Sequence, residues 1–172
     1  MADPMKYEAI YAAQRHALGA PFPAIIDLID TLPKGLDVLD LGAGQGRDAL
    51  PIARRGHRVV AVDIAPTGLM QLAEDAAGLK VETVVADLNT YAPEGQFDVA
   101  ILDRTLHMLE PVRRLSVLNR LIPHIRPNGM ILIADEVKNL VHFGAFFDDL
   151  DGWIVFKDQK GFLFVQAPPE RK

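Results

Sequence analysis

The chain has 172 residues, 49% of them hydrophobic and 24% charged, with a formal net charge of −5 and no cysteine. This composition is that of an ordinary globular protein, and the length favours one well-buried core over two large domains. The lack of cysteine excludes disulfides and thiolate metal sites, and the negative charge disfavours broad binding to nucleic acid.

The distribution of apolar residues bears on location and partners. No apolar run approaches the ~20 residues that a bilayer span requires. The first twenty residues carry charges throughout, where a secretion signal has an uninterrupted apolar block. We therefore expect a cytoplasmic monomer or homodimer with no membrane or nucleic-acid partner. The five histidines show no paired ligand spacing, so no metal is expected either.

In chain order, the pattern begins with two helical segments, residues 5–18 and 23–32, which are placed to lie over the mouth of a sheet. Short apolar runs then alternate with helical patterns, which is typical of an α/β fold with a mainly parallel sheet covered on both faces. The predicted strands are residues 37–41, 58–62, 81–85, 97–102 and 130–134, and the predicted helices are residues 48–55, 67–77 and 111–125. Two further β-runs, "GWIVFKD" and "GFLFVQA", flank a "DQKG" turn and predict a closing hairpin.

The run "VLDLGAGQGRDAL" places Gly42, Gly44 and Gly46 between the first predicted strand and a helix. Glycines at the carboxyl edge of a parallel strand allow the backbone to approach a ligand closely, although a tight turn without a ligand is the alternative. Pro51 has no N–H and is tolerated only in the first turn of a helix. The helix is therefore predicted to begin near Asp48.

Acidic residues follow the next two predicted strands. Asp63 ends the second strand, seventeen positions after Gly46, where a carboxylate can accept hydrogen bonds from two ribose hydroxyls. Asp87 closes the third strand, where its side chain can accept from an adenine amine. The alternatives are an N-cap for Asp63 and a solvent-facing turn for Asp87.

Asp40, two residues before the glycine loop, discriminates between nucleotide ligands. A pyrophosphate bound to this loop would be repelled by the carboxylate. S-adenosylmethionine instead offers an ammonium and a sulfonium, with a ribose and an adenine for Asp63 and Asp87. The acid therefore favours S-adenosylmethionine over NAD as the cofactor.

The stretch "VLDLGAGQGRDALPIARRGHRVVAVDIAPTGL" resembles the first two motifs of class I S-adenosylmethionine-dependent methyltransferases. Its "GRD" continuation is similar to the small tellurite-resistance and thiopurine methyltransferases. "VVADLNTYAPEGQFDVAILDRTLHML" resembles the third and fourth strands of that fold, and "LIPHIRPNGMILIAD" resembles its helix, Pro-x-Gly turn and fifth strand. The resemblance implies a Rossmann-like, doubly wound sheet of seven strands, mainly parallel with an antiparallel C-terminal strand.

The resemblance also implies a division of the chain and a set of cofactor-binding residues. One domain would comprise a helical cap (1–34), a cofactor-binding core (35–135) and C-terminal strands (136–172), with the usual helix near residues 141–152 reduced. The implied cofactor residues are Asp40, Gly42, Ala43, Gly44 and Gly46 near the methionine part, Asp63 at the ribose, Ile64, Asp87 and Leu88 at the adenine, and Asp103 at the ammonium or the acceptor.

Candidate acceptor residues lie after the fourth strand and in the first helix. His107 is placed to act as a general base, with a helix-facing, partly buried histidine as the alternative. Arg104 is placed to steer an anionic acceptor. Tyr7, Tyr11 and Arg15 have spacings that put them on one helix face, either as a lid over the methyl group or as an amphipathic packing face.

We therefore predict methyl transfer from S-adenosylmethionine to a small-molecule acceptor by in-line displacement. Two alternatives remain from the sequence. One is a cofactor-binding module or partner subunit without catalytic activity. The other is a nicotinamide-dependent oxidoreductase, which Asp40 and the glycine spacing disfavour.

Overall fold

The computed structural model describes residues 4–170, with side chains from Lys6 onward. Within these residues, seven strands and six α-helices follow one another. The strands are β1 (Asp37–Leu41), β2 (Arg58–Asp63), β3 (Val81–Val85), β4 (Phe97–Asp103), β5 (Ile125–Ala134), β6 (Ile154–Gln159) and β7 (Phe162–Gln166). The helices are α1 (Pro4–Ala13), α2 (Pro23–Thr31), α3 (Ala49–Arg54), α4 (Pro66–Asp75), α5 (Pro111–Leu121) and α6 (Val137–Asp148).

The strands form one sheet in the order β3-β2-β1-β4-β5-β7-β6. All pairings are parallel except those of β7, which runs antiparallel to both β5 and β6. The predicted doubly wound sheet with an antiparallel C-terminal strand is therefore confirmed. The chain reverses direction across the sheet at β1, so β1 and its neighbours form the switch point where open α/β sheets bind ligands.

Two apolar clusters cover the two faces of the sheet. Helices α2, α3 and α4 pack on one face through residues such as Ile29, Ile52 and Leu72, and α5 and α6 pack on the other. Alternate residues of β4 point to opposite clusters, as in a strand buried on both faces. None of the helices within residues 4–170 is long and apolar enough to cross a membrane.

Several predicted boundaries differ from the structure; among them, α5 ends at Leu121 and β5 already begins at Ile125, where the prediction had a helix over residues 111–125. Helix α1 ends at Ala13 instead of continuing to Leu18, and His16 then adopts a positive φ of 53°. Helix α6 is not reduced: it has twelve residues, because Leu140, Phe143 and Phe147 recur at helical spacing and are all buried. The predicted Pro-x-Gly turn lies inside β5 as an irregularity, since the register with β4 shifts between Phe97 and Val99.

Two local features have the conformation that the sequence predicts. Helix α3 begins at Ala49 with Asp48 as its N-cap, which confirms the boundary inferred from Pro51. The hairpin between β6 and β7 turns at Lys160 and Gly161, both with positive φ. Positive φ at both central residues is the geometry that two-residue hairpin turns favour.

Candidate active site

The glycine loop folds back on β2 and is packed closely by other side chains. The backbone N–H groups of Gly42 and Ala43 both donate to the carbonyl of Val62, at 2.8 and 3.0 Å. A Cβ on Gly42 would overlap the hydroxyl of Thr105, and a Cβ on Gly44 would overlap the hydroxyl of Tyr11. Both glycines also have positive φ. They therefore serve the packing of the protein as well as any approach of a ligand.

A cavity of about 330 Å³ opens beside this loop at the carboxyl edge of the sheet. It brings together residues that the sequence separates by up to a hundred positions. Its walls are Tyr7, Tyr11, Leu18, Gly42, Ala43, Arg47, Asp48, Asp63, Ile64, Asp87, Leu88, Asn89, Asp103, Arg104, Thr105, His107, Met108 and Leu109.

Most of the residues predicted for a site line this cavity. Asp40, Gly44 and Gly46 do not: they lie behind the lining, and Asp40 is only 2% exposed. Asp40 instead accepts a hydrogen bond from the backbone N–H of Ala49, at the start of α3. Asp40 therefore lies behind the cavity wall, and its role toward a cofactor stays a prediction.

Three buried aspartates, Asp40, Asp48 and Asp103, form an acid cluster next to the glycine loop, and Arg47 is paired with one of them. Arg47 donates to Asp103 at 2.5 Å, whereas one carboxylate oxygen on each of Asp40, Asp48 and Asp103 has no hydrogen-bond partner. An unpartnered buried carboxylate oxygen is costly unless another group satisfies it. The cluster therefore has an excess of acceptors over donors.

The pKa values of the acid cluster follow from its burial. Burial first, and then the charges of Asp40 and Asp103, raise the pKa of Asp48 to about 9. Burial and the charge of Asp103 raise the pKa of Asp40 to about 7. Burial also raises the pKa of Asp103, although its ion pair with Arg47 acts in the opposite direction. A cation placed here would stabilise the ionised carboxylates.

Asp63 is positioned by the backbone at the end of β2. One of its carboxylate oxygens accepts from Gly44 N–H and the other from Ala65 N–H, each at 2.8 Å. Asp63 is not the N-cap of α4, since that position is Ala65 and has no side-chain cap. The Asp63 side chain instead braces the glycine loop and lines the cavity.

The far end of the cavity is more open. Ile64 exposes 40% of its surface, which is high for an apolar residue in a site wall. Asp87 accepts from both the backbone N–H and the side-chain amide of Asn89, so it forms a local turn as well as lining the cavity. The backbone carbonyl of Leu88 accepts from Arg120 at 2.6 Å, which fixes the neighbouring loop.

The loop after β4 contributes the opposite wall. Arg104 is exposed and has a positive φ of 58°, which is uncommon for a non-glycine residue. Thr105 is buried, and its hydroxyl donates to the carbonyl of Leu41 at 2.9 Å, so it ties this loop to the glycine loop. His107 follows in a single 3₁₀ turn, Leu106–Met108, and its side chain is 21% exposed.

Helix α1 and the segment after it cover the cavity from above. The rings of Tyr7 and Tyr11 both line the cavity, with centroids 5.9 Å apart. Burial, together with the charge of Asp63, raises the pKa of Tyr11. The side chain of Glu8 accepts from the backbone and hydroxyl of Thr67. Helix α1 is thus joined to the start of α4.

Arg15 lies outside the cavity, contrary to its predicted place beside Tyr7 and Tyr11. It follows the end of α1 and donates to Glu74 and Asp75 at 2.9 and 2.7 Å on the surface. The prediction fails because helical spacing applies only within a helix, and α1 ends at Ala13.

Sequence reasoning missed three functional candidates: Arg47, Asp48 and Thr105. Arg47 and Asp48 belong to the "GRD" run, from which the sequence predicted only the start of a helix. Their burial depends on Asp103, which lies on a strand more than fifty residues later in the chain. Thr105 carried no signal of its own. Among residues 4–170 no group of three or more potential ligands is arranged to hold a metal ion.

Comparison with known proteins identifies the family of the chain. Residues 38–129 match the family described as "Methyltransferase domain". The chain is 34% identical over 155 residues to the 2-heptyl-1-hydroxyquinolin-4(1H)-one methyltransferase of Mycobacteroides abscessus, covering 84% of this chain and 63% of that protein. It is 32% identical over 101 residues to a ubiquinone biosynthesis O-methyltransferase of Rickettsia felis, covering 58% and 41%. The chain therefore spans less than two thirds of the length of these relatives.

A solved structure supports the fold. The TehB-like S-adenosylmethionine-dependent methyltransferase of Corynebacterium glutamicum superimposes with a TM-score of 0.73 at 22% identity, covering 96% of this chain and all of that one. The likeness extends beyond the family match to the N-terminal helices and the C-terminal hairpin. The chain thus belongs to the methyltransferase-domain family, within the class I S-adenosylmethionine-dependent methyltransferases.

Proposed function

We propose that this chain transfers a methyl group from S-adenosylmethionine to a hydroxyl group of a small molecule. The observation that carries the proposal is the acid cluster: Asp48 and Asp103 line the cavity, Asp40 lies behind them, and one carboxylate oxygen of each has no hydrogen-bond partner. Burial and the neighbouring carboxylates raise the pKa of Asp48, and a cationic donor in the cavity favours the ionised form of the cluster. The ammonium of S-adenosylmethionine has three N–H donors and a positive charge, so its chemistry fits this end of the cavity.

The same cluster opposes a dinucleotide. A pyrophosphate beside Asp48 and Asp103 would lie against two acidic side chains, and the guanidinium of Arg47 is already paired with Asp103. Electrostatic repulsion in a partly buried site costs several times more than in water. The residues present therefore fit S-adenosylmethionine better than a nicotinamide cofactor.

Residues at the other end of the cavity have the chemistry to hold an adenosine. Asp63 lines the cavity, and its carboxylate oxygens are acceptors of the kind that ribose hydroxyls require. Ile64 offers an exposed apolar surface to a planar base, and Asp87 and Leu88 lie beside it. We therefore keep all four as proposed cofactor residues, with Gly42, Ala43 and Gly44 at the methionine part and Gly46 as a packing residue of the loop.

The proposed acceptor is supported by the remaining wall of the cavity and by the names of the relatives. Leu18, Met108 and Leu109 supply apolar surface beside Tyr7, and Arg104 lies exposed beside them. One relative is named for a hydroxyquinolinone and the other is an O-methyltransferase. An apolar, ring-containing molecule with a hydroxyl group suits this wall, and His107 is the residue placed to accept its proton.

S-adenosylmethionine supplies a methyl carbon activated by the adjacent sulfonium. The contribution of this chain is to hold the acceptor in line with that carbon, to exclude water with the Tyr7 and Tyr11 cover, and to take the hydroxyl proton on His107. Positioning of this kind can supply most of the rate enhancement of a displacement reaction.

Titration calorimetry with S-adenosylmethionine and with NADH tests the cofactor. We expect binding of the former alone, weakened at least about tenfold in Asp63→Ala, because removing a hydrogen-bonded charged acceptor costs about 1.5–3 kcal/mol. Asp27→Asn, an exposed acid on α2, is the control and should bind normally. Absence of S-adenosylmethionine binding, or unchanged binding in Asp63→Ala, would contradict the proposal.

Mass spectrometry of products from a panel of phenols and hydroxyquinolones tests the reaction. We expect a single added methyl group on oxygen in at least one of them. Cofactor binding with no product across the panel would favour a binding module without catalytic activity.

A further inference from the structure

The carboxylate of Asp135 lies beside His107 and is completely buried. It follows β5 directly. One of its oxygens accepts from the backbone N–H of His107 at 3.0 Å, and the Nδ1 atom of the same imidazole lies 3.8 Å from that oxygen. The other oxygen accepts from the side-chain amide of Asn139 at 2.8 Å and from the backbone N–H of Glu136 at 2.7 Å.

These contacts keep the buried carboxylate ionised. Burial acts to raise the pKa of Asp135, but the contacts with His107, Asn139 and the Glu136 N–H outweigh it and hold that pKa below the ordinary aspartate value. A negative charge is therefore fixed against one face of the site, within ion-pair distance of the imidazole.

Arg114 closes the arrangement from α5. It donates to the backbone carbonyls of His107 and Leu109, at 3.2 and 3.0 Å, and to the side chain of Asn139 at 2.6 Å. The turn that carries His107 and the amide that holds Asp135 are thus fixed by the same guanidinium. The position of the imidazole relative to the carboxylate is set by α5, α6 and the loop after β4 together.

The imidazole itself has one nitrogen unsatisfied inside the protein. His107 Nδ1 is buried and has no hydrogen-bond partner at its 3.8 Å distance from Asp135. Catalytic hydrogen bonds are often long without substrate and shorten when it binds. With Nδ1 on the carboxylate side, Nε2 is the nitrogen available to the cavity that His107 lines.

We propose that Asp135 is a positioning residue that orients His107 through Nδ1, so that Nε2 accepts the proton of an acceptor hydroxyl that is not yet ionised at the working pH. The inference rests on the proposed function and defines its substrate class: weakly acidic phenols or alcohols, for which a base is needed, as distinct from thiolates.

In the step itself, Nε2 of His107 takes the hydroxyl proton while the acceptor oxygen forms its bond to the methyl carbon. The carbon–sulfur bond breaks and its electron pair leaves with sulfur, which loses its positive charge. The imidazolium formed is stabilised by the carboxylate of Asp135, and its proton passes to water after the methylated product leaves.

Asp135→Asn tests the inference, with Glu136→Gln as the matched control. The control removes a neighbouring carboxylate that is 42% exposed and paired with Lys138 on the surface. In Asp135→Asn we expect kcat/KM for weakly acidic phenols to fall about 10- to 100-fold, as part of the ~10²–10⁴ that a general base contributes. The loss should shrink for phenols acidic enough to be ionised in the assay. Glu136→Gln should match the wild type for all of them.

Two further measurements separate a positioning role from a structural one. In a His107→Gln background, Asp135→Asn should cause no additional loss. Calorimetry with S-adenosylmethionine should give the same affinity in every variant.

The results that would contradict the role of Asp135 differ from those that would contradict the methyl transfer itself. An equal loss for all phenols, or an equal loss in the His107→Gln background, would overturn the role of Asp135 and leave the methyl transfer intact. A wild-type chain that fails to bind S-adenosylmethionine or to methylate any hydroxyl would overturn both.

Discussion

The two ends of the cavity are built in different ways. At the cofactor end, residues 40–65 form the strand ends, the glycine loop and Asp63, and their hydrogen bonds join β1 and β2, two consecutive strands. At the acceptor end, His107 is held by Asp135, and the turn that carries it is tied to Asn139 by Arg114, through contacts that join α5, α6 and two strand ends. The glycine loop is therefore held within one consecutive strand pair, whereas the surroundings of His107 depend on how several separate elements pack.

Substitution of Gly42 gives the largest expected effect, because it acts where the two ends meet. Gly42→Ala forces a positive φ of 85° on alanine and drives its Cβ into Thr105, which joins the glycine loop to the loop after β4. We expect a loss of about 1–2 kcal/mol for the backbone conformation and about 1–3 kcal/mol more for the displaced side chain. Cofactor affinity should fall with stability, as measured by urea unfolding and calorimetry.

Gly35 provides the control for that substitution. It has a nearly equal φ of 81°, but nothing lies within 4 Å of an added Cβ. Gly35→Ala should therefore show only the cost of the backbone conformation and bind cofactor normally. Equal destabilisation by the two variants would mean that close packing against Thr105 is unimportant.

The acid cluster predicts an unusual dependence of stability on pH. Because the folded state holds the pKa of Asp48 far above its unfolded value, the folded chain binds more protons than the unfolded chain, and stability falls as pH rises through this interval. Between pH 7 and 9 the cost is of the order of 1–3 kcal/mol, or about 2–10 °C in Tm. Carboxylates with lowered pKa values, such as Asp135, are ionised throughout this pH interval and do not contribute to the change of stability with pH.

S-adenosylmethionine should counteract this loss of stability at high pH, because its ammonium would lie against the acid cluster. Scanning calorimetry should show a larger rise in Tm on adding the cofactor at pH 9 than at pH 7. Asp48→Asn should flatten the pH dependence of the cofactor-free chain, and Asp27→Asn should leave it as in the wild type. A Tm independent of pH in the wild type would show that the cluster is not charged as described.

Arg15 gives the smallest expected effect and tests the boundary of the cover. Its guanidinium is 45% exposed, and its ion pairs with Glu74 and Asp75 lie on the surface. Arg15→Ala should change stability by no more than about 1 kcal/mol and leave KM for the acceptor unchanged. A severalfold rise in KM for the acceptor would show that Arg15 takes part in acceptor binding after all.

Much of the cofactor end could be predicted from local signals. The apolar strands, the glycine spacing, Pro51 near a helix start and Asp63 at a strand end each constrain the backbone within a few residues. The burial of Asp48 could not be predicted in this way. Its environment is set by Asp40 and Asp103, which come from two other strands, and pairing between strands leaves no periodic signal in the sequence.

The sequence by itself determined the α/β alternation, the position of the glycine loop, and the acids within β1 and at the end of β2, because periodicity and turn chemistry act between neighbouring residues. Only the tertiary structure decided that Asp40 lies behind the loop, that Arg15 faces away from the cavity and that Asp135 lies against His107. Each of these depends on which elements pack together. Burial, charge pairing and hydrogen bonding across the sheet edge are fixed only once those elements have packed.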